Sequence, residues 1–100
     1  MYINTRLWGK LSVYEWDKAK DAANRLKHGI GFDRVEEFDW SNAAFQQDNR
    51  FDYGEERFRA FGHIGERLYC LAYALRGDNI RIISLRPMHK KEARNHGLED

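Results

Sequence analysis

Two glycine-centred breaks divide residues 56–85 into three consecutive extended segments, and nothing else in the chain limits its fold as strongly. Glu56 to Phe61 alternates Arg57, Arg59 and Phe61 against Glu56, Phe58 and Ala60, the period-two pattern of a strand. Gly62-His63-Ile64-Gly65-Glu66 then turns the chain into Arg67 to Leu75, which is apolar on both sides and so predicts a central strand. Gly77-Asp78-Asn79 turns it again into Ile80 to Leu85. Connections this short join antiparallel neighbours, because a parallel return needs a crossover of a dozen residues or more. The expected result is an antiparallel meander.

The first half reads differently. Val13-Tyr14-Glu15-Trp16 places an aromatic at every second position and predicts a short strand, after which Asp17 offers a side-chain oxygen to cap a helix. Ala19, Ala22, Ala23 and Leu26 recur at helical spacing and predict the face that packs. Gly29 closes this helix, with Lys27 and His28 beside the negative end of its dipole. Phe32, Val35 and Phe38 form a stripe for a second short helix, and Asp33 and Glu36 stand at capping-box spacing. Ala43 to Gln47 suits an edge strand and Asp48 to Glu55 a loop, while Pro87 ends the last strand ahead of a polar helix from Met88 to His96. The fold class expected is α+β: a strand and two helices, the meander, and a short C-terminal helix. With 42% hydrophobic residues in 100, the chain has material for one core, so a single domain over residues 1–100 is expected, within which residues 1–12 read as an N-terminal extension.

Several chemistries find no support. Met1 to Lys10 lacks the apolar stretch of a signal peptide, and no run of about 18 apolar residues could span a bilayer. A cytoplasmic protein without membrane contact is expected. Cys70 is the only cysteine, set in LYCLAYAL as a small buried hydrophobe. The histidines at 28, 63, 89 and 96 form no metal-binding pair, and GIGF lacks the remainder of a phosphate loop. No metal or cofactor is expected. Trp8, Trp16 and Trp40 read as core or interface anchors.

Charge is more informative by position than in total. The net charge is +1, yet residues 56–98 hold 9 Lys+Arg against 4 Asp+Glu. A clustered positive field attracts phosphates. Arg57, Arg59, Arg67, Arg76, Arg81 and Arg86 all lie on or beside the meander, and Arg57 and Arg59, two apart, share a face. Arg81 and Arg86 are an odd number apart, which on a regular strand points them to opposite faces. Guanidinium groups remain charged and grip phosphate through two nitrogens, which suits the transition state of RNA cleavage by the ribose 2′-hydroxyl. Glu56, His28 and His63 are candidates for moving the proton, ahead of Tyr53 and Tyr73. Each has a plainer role: Arg57 and Arg59 as solvated charges on an edge strand, Glu56 as an ion-pair partner, His28 as a helix cap, His63 as a hairpin residue. Residue types alone leave both open.

YEWDKAKDAANRLKHGIGF, GEERFRAFG and IRIISLR followed by KKEAR, in that order, resemble the BrnT family of toxins from bacterial type II toxin–antitoxin systems, over roughly residues 14–94. The resemblance implies a RelE-like α+β fold and an endoribonuclease that cleaves RNA without metal and inhibits translation. It implies Arg57, Arg86 and Arg81 on the scissile phosphate, Glu56 or His28 moving the proton, and Arg59, Lys27, Lys90 and Lys91 along the RNA backbone. A ribbon-helix-helix antitoxin of BrnA type is the implied partner, with operator DNA bound only through that complex. A degenerate toxin acting solely as an interaction module and co-repressor is the alternative. Leu85 and Pro87 depart from the small and less constrained residues usual around Arg86, and the ending HGLED is short and acidic.

Overall fold

The computed structural model describes residues 3–7, 10–50 and 52–98, with backbone only for 3–7 and 10–12. Within the N-terminal extension lie β1 (Ile3–Leu7) and the first half of β2 (Lys10–Glu15), paired antiparallel, so β2 begins earlier than the aromatic alternation predicts. Trp8 lies outside the described residues.

Asp17 caps α1 (Lys18–His28), its carboxylate accepting from the backbone N–H of Ala19 at 2.8 Å and Lys20 at 3.1 Å. Those bonds hold the Asp17 carboxyl below its ordinary range. Gly29 ends the helix at φ 73°, a conformation that costs other residues steric strain. The face that packs is not the expected one. Ala19, Ala22 and Ala23 are exposed and Leu26 is 91% exposed, whereas Asn24 is buried. Asn24 Nδ2 donates to the carbonyls of Ile30 (2.9 Å) and Leu85 (2.8 Å), and Leu85 N–H donates to Asn24 Oδ1 at 3.2 Å. Asp21 accepts from Phe32 N–H at 2.8 Å on the same side. The helix is oriented by unsatisfied backbone that needs partners, which an alanine stripe could not supply.

The second helix is a 3₁₀ segment, Phe32–Glu37, with no side-chain cap: Asp33 pairs with Arg25 instead of closing a capping box with Glu36. Phe32, Val35 and Phe38 nonetheless form the expected stripe and are buried. A further 3₁₀ turn, Trp40–Asn42, leads into β3 (Ala44–Gln47). The meander follows as β4 (Arg57–Ile64), β5 (Arg67–Arg76) and β6 (Asn79–Pro87), and α2 spans Lys90–Asn95. β4 runs through Gly62 and His63, so the turn is shorter than expected and His63 is a strand residue. Gly62 is required there because a Cβ would come 2.8 Å from Phe38 Cζ.

The sheet is six-stranded and mixed, in the order β1-β2-β6-β5-β4-β3. β2 pairs parallel with β6 over Val13–Glu15 and Asn79–Arg81, and every other pairing is antiparallel. β5 is central, and β4 is covered by β3, so Arg57 and Arg59 are not on an edge. One sheet face carries the main core, where Tyr14, Trp16, Phe32, Val35, Leu71, Tyr73, Ile80, Ile82 and Leu85 pack together. Trp40 Nε1 donates to Tyr14 Oη at 2.6 Å and its ring meets Phe38, Phe45 and Tyr73, making it the aromatic anchor of that side. A smaller cluster on the other face joins Phe61, Leu68 and Cys70 to Met88 and Ala93, seating α2 over one end. Cys70 is buried and its thiol pKa is pushed up by burial, as suits a core hydrophobe.

Candidate active site

The face opposite the main core is built by register. β4 and β5 pair Arg57 with Ala74, Arg59 with Ala72 and Phe61 with Cys70. β5 and β6 pair Ala74 with Arg81, Ala72 with Ser84 and Cys70 with Arg86. Between Ile82, opposite Tyr73, and Ser84, opposite Ala72, Ile83 has no partner: the register shifts by one residue, as at a β-bulge. That extra residue changes the phase of the strand. Arg81 and Arg86, five apart, therefore share a face, correcting the expectation from their odd spacing. The buried positions Ile80, Ile82 and Leu85 confirm the slip, stepping by two and then by three.

Arg57, Arg59, Arg76, Arg81 and Arg86 thus stand on one side of the sheet. The small residues Ala72 and Ala74 lie between the arginines of β4 and those of β6. From Ala74 to Cys70 this arginine-flanked row extends about 13 Å.

Each arginine is differently held. Arg57 donates through Nε to Glu55 at 3.3 Å, and its guanidinium sits 4.1 Å from the Tyr53 ring centre. Arg76 donates to the other oxygen of Glu55 at 3.2 Å. Arg59 donates through one terminal nitrogen to Gln46 at 2.7 Å, while its Nε is buried with no partner. Arg81 lies 3.9 Å from Glu15, a loose pairing. Arg86 is gripped by Glu92 of α2 through two bonds of 2.7 Å. That fork raises the Arg86 pKa and lowers that of Glu92.

The loop before β4 contributes more than its lack of period suggested. Asp48 is buried and accepts from Arg50 Nε (2.8 Å), from a terminal nitrogen of Arg50 (2.9 Å) and from Tyr53 Oη (3.1 Å). Its carboxyl is held far below the usual range, first by the Arg50 hydrogen bonds. The Arg50 charge also reaches Arg86 and disfavours its protonated form. Asp48, Arg50 and Glu55 escaped the reading of the sequence, which named Tyr53 only as a lesser candidate for moving the proton; Asp48-x-Arg50 in a polar loop is the trace they leave.

The remaining candidates divide. Glu56 is exposed and directly precedes β4, out of phase with Arg57, so it is not brought among the arginines. His28 is half-buried at the end of α1 and lines a cleft of about 310 Å³ with Lys20, Ala23, Lys27, Ile83 and Ser84. Its pKa is lowered by burial, then by the charges of Lys27 and Arg86, so it lies within electrostatic range of the arginine face. Lys27 is exposed in the same cleft. Lys90 and Lys91 are exposed on the first turn of α2, and Lys91 lines a second cavity with Arg86. His63 pairs with Leu68 beyond Phe61, in phase with the arginines. Tyr73 points to the core, its pKa pushed up to about 12 by burial. Among the described residues no group of three or more His, Cys, Asp or Glu is placed to hold a metal ion. Nor is any helix long and apolar enough to cross a membrane.

The protein is thus of the α+β class, with five arginines on one sheet face and a carboxylate beside four of them. The chain itself belongs to the family of BrnT ribonuclease toxins of type II toxin–antitoxin systems, whose family model it matches over residues 16–92. The arginine face, α1 and Glu92 all fall within that match. No curated protein matches the chain. As such a toxin it has an antitoxin for a partner.

Proposed function

We propose that this chain is a metal-independent endoribonuclease of RelE-like build that cuts RNA on its arginine face and so inhibits translation in the cytoplasm. One observation carries this reading: the bulge at Ile83 adds Arg81 to the side occupied by Arg57, Arg59 and Arg86. These groups can balance the charge that builds on a phosphodiester during attack. Arg57, Arg81 and Arg86 hold the scissile phosphate, and Arg59, Lys27, Lys90 and Lys91 follow the RNA backbone. A base removes the 2′-hydroxyl proton, the 2′-oxygen bonds to phosphorus, and the 5′-oxygen leaves with a proton. The products are a 2′,3′-cyclic phosphate and a 5′-hydroxyl end.

His28 is the preferred base. Its depressed pKa keeps it neutral near pH 7 and able to accept the proton, whereas Glu56 lies out of phase with the arginines. A ribbon-helix-helix antitoxin of BrnA type neutralises the toxin by covering this face, and operator DNA is bound only through that complex.

The test is cleavage of a defined RNA in EDTA by the wild type and by Arg57→Ala, Arg81→Ala, Arg86→Ala and His28→Ala, each confirmed as folded. Losses of about 10²–10³ in rate are expected for the arginine variants, and about 10²–10⁴ for His28→Ala. RNA binding without product, from naked RNA and in translating extract alike, would replace the enzyme with an interaction module that serves only as co-repressor.

A further inference from the structure

The Arg86 fork faces Glu92 in the geometry it would offer to two oxygens of a phosphate. Both bonds are 2.7 Å, and both side chains keep solvent access, at 31% and 24% exposure. Arg86, His89, Lys91, Glu92, Asn95 and His96 line a cavity of about 500 Å³ between β6 and α2. Among the described residues that line it Glu92 is the one carboxylate, against the cations of Arg86 and Lys91, with the charge of Arg50 also reaching Arg86.

The element that carries Glu92 is weakly built. α2 has six residues and no side-chain cap, and it rests on Met88 and Ala93 against Phe61, Leu68 and Cys70, with His96 stacked on Phe61 at 4.4 Å. A helix that short does not persist without tertiary contacts. Its ion pair to β6 is therefore one of few ties holding it down.

We infer that the α2 cavity adjoins the arginine face through Arg86 as part of one phosphate site for RNA, and that the Glu92 carboxylate occupies Arg86 until a phosphodiester takes its place. This rests on the arginine face being the RNA site, and it adds an internal competitor for the phosphate that Arg86 would hold. A phosphodiester retains its charge through the exchange and gains Lys91, which Glu92, fixed on the same helix, does not engage.

Two measurements test it. The first is affinity for a short RNA with a 2′-deoxy substitution at each nucleotide that would otherwise be cut, compared for wild type, Glu92→Gln and Glu92→Gln with Arg86→Ala. Glu92→Gln is expected to bind roughly tenfold more tightly, about the effect of removing one competing charge-assisted bond, and the double variant is expected to lose that gain. The second is NMR of the arginine Nε–H signals under titration with inorganic phosphate. The Arg86 signal should move at lower phosphate in Glu92→Gln than in wild type, and Glu92→Asp, which keeps the charge on a shorter arm, should fall between them.

If Glu92→Gln binds RNA no more tightly while the wild type cuts it, Glu92 positions Arg86 and the competition is refuted, with the ribonuclease reading intact. An Arg86 signal unmoved by phosphate in every variant also refutes it. If the wild type neither binds nor cuts RNA yet phosphate moves Arg86 only in Glu92→Gln, the competition for an anion stands and the ribonuclease reading fails.

Discussion

Replacing Asn24 with alanine should be among the most damaging single changes outside the apolar core. Three hydrogen bonds disappear together, to Ile30 O, Leu85 O and Leu85 N–H. Water has little access to this buried position, so the backbone groups are left without partners. At about 0.5–1.5 kcal/mol for each bond the loss is about 2–4 kcal/mol. For a domain of this size that lowers the melting temperature by about 8–32 °C, at roughly 4–8 °C per kcal/mol. Urea denaturation at pH 7, with a thermal melt beside it, measures the change. Asn24→Asp sharpens the test, since it retains an acceptor for Leu85 N–H but turns a carboxylate toward two carbonyl oxygens. Its loss should equal or exceed that of alanine. A cost below about 1 kcal/mol for Ala, or native stability for Asp, would show that these bonds do not hold α1 to β6. Leu85 precedes Arg86, so any Asn24 variant that remains folded should also cut RNA more slowly.

Acid should weaken the Asp48 cluster. The folded-state pKa of Asp48 lies far below its ordinary 3.8, so the stability it contributes is complete above that value and lost as pH falls beneath it. Urea midpoints followed from pH 6 downward should therefore fall less steeply below pH 4 in Asp48→Asn than in wild type, although Asp48→Asn begins less stable. His28 has the opposite charge and also favours higher pH. Its folded pKa is below 6.5, so its burial as the neutral form costs stability progressively as pH falls through 6.5 toward the folded value. NMR titration of the ring should show the depressed midpoint, and Arg86→Ala should raise it by removing one of the causes.

The meander was legible because its signals are local: alternation along each strand and glycine at Gly65 and Gly77 to reverse it. Asp17 and Gly29 bounded α1 for the same reason, each acting on backbone within one turn of itself. The orientation of α1 was not legible. Ala19, Ala22, Ala23 and Leu26 satisfy any measure of amphipathicity, yet the helix turns on Asn24, whose partner Leu85 is 61 residues away. The hairpin that begins the sheet escaped because residues 3–12 carry no strong alternation and gain their pairing from β6 through β2. Glu55 and Glu56 show how fine the limit is. Adjacent carboxylates alternate in phase, and which of them meets Arg57 depends on where the loop ends and the pairing begins.

The Ile83 bulge links the two features that the sequence concealed. Without it, a regular β6 would present Arg81 and Arg86 to opposite faces, and Leu85 could not share the core with Ile80 and Ile82. One of the arginines would have to enter the core, or the core would lose Leu85. The bulge removes that conflict by assigning one residue to neither face. It also lies just past Arg81, where β2 stops pairing, so the stretch of β6 that leads to Arg86 has no strand on its outer side. A strand neighbour there would pair residue for residue and favour a regular register. Asn24 instead satisfies Leu85 from a helix, with one side-chain amide in place of a strand, and leaves Ile83 free to stand out of phase. The polar attachment of α1 and the convergence of the arginines are therefore one structural solution, in which Asn24 fixes the helix to Leu85, beside Arg86.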